Sequence, residues 1–110
     1  MRRPLGHGQI WWADLPGDKV RPTVVLTRAS AAPLLRRVLV APVTTTARGL
    51  RTEVELGPRE GLREGSIANL DNTQLVEVEL LLDLAGEVAA GRWHEFCAAM
   101  ARTIGCAHLR

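Results

Sequence analysis

Apolar and polar positions alternate with a period of two through the first three quarters of the chain, then switch to a helical period. Gln9–Asp14 is a compact apolar run bounded by Gly8 and the turn residues Pro16-Gly17-Asp18. Thr23–Thr27 is β-branched apart from Leu26. Arg37–Val43 reads as a buried strand with Pro42 near its end, where proline marks an edge or a bulge. Thr52–Leu56 places Thr52, Val54 and Leu56 on one face and Glu53 and Glu55 on the other. Ser66–Leu70 and Val78–Leu82 complete the predicted strands, with turn chemistry at Gly57-Pro58 and Gly61–Gly65. Beyond them, Trp93, Phe96, Met100 and Ile104 recur at three- and four-residue spacing, while Arg92, Glu95 and Arg102 lie off that stripe. The pattern predicts an amphipathic helix over Ala90–Ile104, ended by Gly105 at the position that favours a left-handed residue. Short strands followed by one helix predict a mainly β fold, a small and strongly bent sheet or barrel covered by that helix.

Composition narrows the class. At 110 residues the chain is expected to form one domain over 1–110. With 46% hydrophobic and 24% charged residues it has a soluble, folded composition. No apolar stretch approaches the roughly 20 residues of a membrane span, and no apolar run follows Arg2 and Arg3, so neither a span nor a signal peptide is expected. Two cysteines argue against a disulfide framework, which makes the cytoplasm the expected compartment. The net charge of +2 hides an asymmetry. Residues 1–51 carry nine basic groups against two acids, whereas residues 52–110 carry five against ten. A basic half is an electrostatic footprint for a phosphate-rich partner, unless the two signs interleave on the folded surface and cancel.

Two stretches carry candidate chemistry. Pro22 fixes its own φ and holds Arg21 extended, so Arg21 stands on a rigid strand start directly after a tight turn. A guanidinium held this way presents a planar fork that matches phosphate oxygens; an exposed arginine before a strand is the simpler alternative. The buried strand Val38–Val43 runs into Thr44, Thr45 and Thr46 and then Arg48, placing hydroxyls at the rim of a sheet, although threonine is also an ordinary strand residue. His94, Cys97, Cys106 and His108 resemble metal ligands at first sight, but their spacing matches no standard zinc module. Buried free cysteine and surface histidine explain them, and no metal is expected. His7 would be the only imidazole near the N-terminal strand for general-base work. Trp11 and Trp12 point to opposite faces, so one belongs to the core and the other to a subunit contact or a stacked base.

Taken in order, the motifs resemble the MazF/PemK toxin family. Gly8-Gln9-Ile10-Trp11-Trp12-Ala13-Asp14-Leu15 is similar to the family's opening strand, and Arg21-Pro22-Thr23-Val24-Val25-Leu26 to its Arg-Pro strand. Ala41-Pro42-Val43-Thr44, Ser66–Asp71 and the Gly86–Val88 turn into the last helix have counterparts as well, so the resemblance runs from Gly8 to Gly105. It implies a small SH3-like barrel of the CcdB/PemK type with a C-terminal amphipathic helix, paired as a homodimer. It also implies a metal-independent, sequence-specific endoribonuclease that cleaves single-stranded RNA by 2′-hydroxyl attack. A cognate antitoxin with an acidic C-terminal tail is the implied inhibitor, and no cofactor is expected. The catalytic arginine and threonine carry over to Arg21 and Thr44, with Lys19, Thr45, Thr46 and Arg48 as RNA-binding neighbours.

Many members carry a longer loop before the Arg-Pro, some with a glutamate and a histidine near the arginine. Here the loop is only Pro16–Val20, with Asp18 as its sole acid. Two alternatives share the barrel: a gyrase-inhibiting toxin of the CcdB type and a plain RNA-binding module. The first acts through the end of its last helix, and here that end, Gly105–Arg110, lacks a tryptophan.

Overall fold

The computed structural model describes residues 4–106. Seven strands follow in chain order: β1 (Gln9–Ala13), β2 (Arg21–Val25), β3 (Arg37–Thr44), β4 (Glu53–Leu56), β5 (Ser66–Asn69), β6 (Gln74–Glu77) and β7 (Leu81–Glu87). One helix, α1 (Trp93–Thr103), closes the order. All the strand pairs are antiparallel. The strands lie in the order β4-β5-β3-β2-β1-β7, with β6 also paired to β3. The expected barrel is therefore a strongly bent sheet that does not close.

The bend is made by β3, which changes partner along its length. Arg37–Val40 pair with β6, whereas Val43 and Thr44 pair with β5. Pro42 sits in the gap between these two ladders, where its missing N–H costs neither of them a bond. The marker expected near the strand's end thus lies at a corner inside it.

Both faces of the central strands are buried. Ile10, Val24, Ala41 and Val43 join Phe96 and Ala99 of α1 in one cluster. Ala13, Val25, Val38, Val40 and Val76 pack in a second. Such strands read as continuous apolar runs instead of alternating ones. The helix buries Phe96, Ala99 and Ala101, and Trp93 and Met100 pack against the same cluster, while Ile104 lies past the helix end and is exposed. Its C-terminus is a Schellman motif, with Cys106 N–H donating to Ala101 O at 2.7 Å and Gly105 N–H to Arg102 O at 3.2 Å. Gly105 has a φ of 79°, the left-handed value expected from its position.

Three expectations need correction. Val78–Leu82 is not one strand: Val78–Leu80 form a 3-10 turn and β7 begins at Leu81. β6 was not expected at all, because Val76 is its only buried residue and no apolar alternation announces it. β7 is an edge strand with two register shifts against β1, which breaks its period of two. Gly86, expected in a turn, belongs to β7. A Cβ there would collide with the carbonyl oxygen of Glu60, so the close seating of the Glu60-Gly61 turn on β7 requires glycine.

Candidate active site

The site grows from the β1–β2 turn. Pro16 and Gly17 occupy its two central positions, Gly17 has a φ of 74°, and Asp18 N–H donates to Leu15 O at 3.1 Å. This turn folds Asp18 back over Arg21, the first residue of β2. Arg21 Nη2 donates to Asp18 Oδ1 at 3.0 Å, and Arg21 Nε lies 2.7 Å from Asp18 Oδ2. The Nε atom is buried and its N–H is not aligned on an acceptor, so that second contact is one of charge, not a hydrogen bond. Lys19 N–H donates to Asp18 Oδ1 at 2.7 Å and anchors the carboxylate from the other side. The Arg21 guanidinium, followed by the Lys19 amide, holds the Asp18 carboxyl below the usual carboxylate range.

Arg21 also reaches across to β3, where Nη1 donates to Val43 O at 3.3 Å. That bond ties it to the residue before Thr44. Thr44, half-buried at the end of β3, accepts Thr46 N–H on its Oγ1 at 3.2 Å. Among the described residues its own hydroxyl hydrogen is committed to no acceptor. Further along, the Glu53 carboxylate receives the backbone N–H groups of Arg48 and Leu50, each at 3.2 Å, and so fixes the loop that carries Arg48.

Two hollows meet at this pair. One, of about 500 Å³, is lined by Lys19, Arg21, Thr44, Thr45 and Thr46 together with Trp12 and Arg63. The other, of about 140 Å³, is lined by Arg21, Thr44, Thr46 and Arg48 together with Asn69 and Asn72. Arg21, Thr44 and Thr46 form the wall they share. All six residues expected at the site therefore border one bipartite cleft. A hollow of about 630 Å³ on the outside of the same turn is larger, but Lys19 is its only cation.

Arg63, Asn69 and Asn72 line the cleft without having been expected there, and Arg63 lies in a stretch read purely as turn chemistry. Of the two tryptophans expected on opposite faces, Trp12 is the exposed one and borders the cleft. Trp11 is the half-buried partner: it packs on the second cluster and donates its indole N–H to Gln9 Oε1 at 3.1 Å.

Other candidates lie elsewhere. His7 accepts the Ala29 N–H on Nδ1 at 3.1 Å and sits 5.1 Å from the Trp93 ring, so it is a packing residue and borders neither hollow. His94 is exposed, and so is Cys97, which was expected to be buried; Cys106 is half-buried. His108 lies outside the described residues. Among the described residues no group of three His, Cys, Asp or Glu side chains is placed to hold a metal ion, and no helix is long and apolar enough to cross a membrane.

The open sheet, its covering helix and the Arg21–Thr44 cleft define a small β-rich domain with a cationic cleft. Residues 7–104 match the family described as PemK-like, MazF-like toxin of type II toxin-antitoxin system, and the chain belongs to that family. It is 41% identical over 101 residues to the probable endoribonuclease MazF5 of Mycobacterium tuberculosis, covering 91% of this chain and 93% of that one. It is 49% identical over 76 residues to the endoribonuclease MazF3 of the same organism, covering 69% of this chain and 67% of the other. Among solved structures, the toxin MazF-mt6 of M. tuberculosis superposes with a TM-score of 0.83 at 38% identity, covering 88% and 96% of the two chains. A mycobacterial endoribonuclease in complex with its cognate antitoxin gives a TM-score of 0.82 at 26% identity, covering 92% and 95%. The family match sets the gyrase-inhibitor alternative aside.

Proposed function

We propose that this toxin is an endoribonuclease that cleaves single-stranded RNA at the Arg21–Thr44 wall. The observation that carries the reading is that these two side chains, 23 residues apart, border both halves of one cationic cleft. The ribose 2′-oxygen attacks the neighbouring phosphorus and the P–O5′ bond breaks. A 2′,3′-cyclic phosphate and a 5′-hydroxyl result, the 2′-hydroxyl proton being lost and the leaving oxygen gaining one. Arg21 and the Thr44 hydroxyl donate to the phosphoryl oxygens, on which charge grows in the transition state. One such preorganised donor is worth about 3–4 kcal/mol. Arg21 acts by charge and as a hydrogen-bond donor, since a guanidinium offers five N–H groups and no acceptor. Among the described residues no Asp, Glu or His lines either hollow.

Lys19, Thr45, Thr46 and Arg48 hold the flanking backbone. Neutralising phosphates in this way makes binding salt-dependent. The relative solved with its antitoxin supports an antitoxin partner here, and an acidic tail is complementary to the same cleft. A homodimer fits the edge strand β7, which exposes Leu82 and Leu84.

The test is cleavage of a long mixed-sequence transcript in excess chelator, with product ends mapped. Cutting that persists without metal and falls at least about 100-fold in Arg21→Ala and in Thr44→Ala supports the reading. Intact RNA bound by the wild-type protein would establish a binding module instead.

A further inference from the structure

We propose that Trp12 is a stacking platform for one unpaired nucleobase of the RNA, beside the phosphate that Arg21 and Thr44 hold. This inference rests on the reading above and adds a base-binding subsite to it. Trp12 lies on β1, an interior strand between β2 and β7, yet it is 41% exposed. Its neighbour across the ladder is Pro22, immediately after Arg21, and both line the larger hollow. Leu62 adds a further apolar surface, and Lys19 and Arg63 line the same space. An exposed indole beside cations, with no acid lining the hollow, selects a polyanion that also carries flat apolar rings. A single-stranded nucleic acid is that ligand, because every base has a π-face and stacking tolerates sequence. The indole N–H of Trp12 donates to no described residue, whereas that of Trp11 is committed to Gln9. The outward tryptophan is thus the one available to a ligand.

The smaller hollow differs in kind. Asn69 and Asn72 line it, and Asn69 Oδ1 already accepts Asp71 N–H at 3.0 Å. The cleft therefore has an aromatic side and an amide side about one phosphate position, and the stacking side is the one that Trp12 tests.

The full-length protein is titrated with a randomised 2′-O-methyl RNA pool, which has no 2′-hydroxyl to attack, and with an abasic ribose-phosphate polymer of equal length. The wild-type protein should prefer the pool. Trp12→Ala should weaken the pool by about 5- to 150-fold and leave the abasic polymer unchanged, with Trp12→Phe retaining most of the affinity. Equal binding of both ligands by the wild-type protein overturns the proposal. So does an equal loss for both in Trp12→Ala, or a loss that coincides with dissociation of the oligomer in sedimentation. Stronger coupling of Trp12 to polyglutamate than to the pool would assign the indole to an acidic peptide. Cleavage of the mixed transcript is scored separately. A wild-type protein that cuts while Trp12→Ala keeps its preference refutes the platform alone. One that never cuts, yet loses the preference with Trp12, refutes only the catalytic reading.

Discussion

Asp18 Oδ2 stands 2.7 Å from Arg21 Nε, and Asp18 Oδ1 accepts from Arg21 Nη2 at 3.0 Å, so one edge of the guanidinium fork is committed to a single carboxylate. With Nη1 bonded to Val43 O, the hydrogens left over are those at the far end of the fork, facing the cleft. Asp18 is thereby a positioning residue for Arg21. Asp18→Ala should lower the single-turnover cleavage rate by about 10- to 100-fold, the scale expected for a misplaced catalytic donor. RNA affinity should hold, since Asp18 lines neither half of the cleft. A fall in affinity with an unchanged rate would contradict this role.

The same pair gives a pH dependence with a definite sign. The Asp18 carboxyl is held below its ordinary range, so the unfolded chain binds its proton more readily than the folded one does. The pair's stabilisation is present above the unfolded carboxylate pKa and is lost as pH falls through the lowered folded value. Urea midpoints of wild type and Asp18→Asn should therefore differ near neutrality and converge in acid. Asp18 is exposed, so the difference should shrink with added salt.

Much of this architecture was legible in residue patterns because its causes are local. The Arg21-Pro22 strand start, the Schellman end at Gly105 and the Val54/Leu56 face follow from φ restriction, glycine and alternation. The rest depends on tertiary neighbours. β6 exists because β3 offers it an open ladder at Arg37–Val40, not because Gln74–Glu77 alternates. His7 looked available for catalysis, and only the fold shows it spent on Ala29 and Trp93. Arg63 and Asn72 reach the cleft from the loops flanking β5, a juxtaposition that no spacing encodes. Asp18 did carry a signal: an acid three residues before the arginine, directly after a Pro-Gly turn.

Gly86→Ala should destabilise the fold by displacing the Glu60-Gly61 turn, which runs on into Leu62 and Arg63 of the cleft lining. The added Cβ would meet the Glu60 backbone carbonyl, which the neighbouring turn cannot easily move. Gly61, with a φ of 84°, approaches Ala85 O in the same closely packed contact. Overpacking of this kind costs about 1–3 kcal/mol. Thermal melting should show a lower midpoint.

Arg92 is the cation on which the α1 start depends, and its removal should be the more damaging change. It donates to Glu95 through Nε at 2.8 Å and Nη2 at 2.7 Å, to Glu60 through Nη1 at 3.2 Å, and to Glu55 O at 2.8 Å. No side chain caps α1, so this fork takes the place of a cap by fastening the helix's first turn to β4 and the Glu60 turn. The Glu60 carboxylate is buried, and besides Arg92 it has the Gly57 N–H at 2.7 Å. Arg92→Ala leaves that charge with a single donor, and breaking a buried pair on one side costs about 3–5 kcal/mol. The lower figure is the better expectation, because Arg92 itself is partly exposed. Replacing both partners removes the stranded charge, so Arg92→Met with Glu60→Met should recover part of the loss. Chemical denaturation of the two single variants and the double variant measures this directly. A double variant no more stable than Arg92→Ala would show that the contacts to Glu95 and Glu55, not the Glu60 charge, carry the effect.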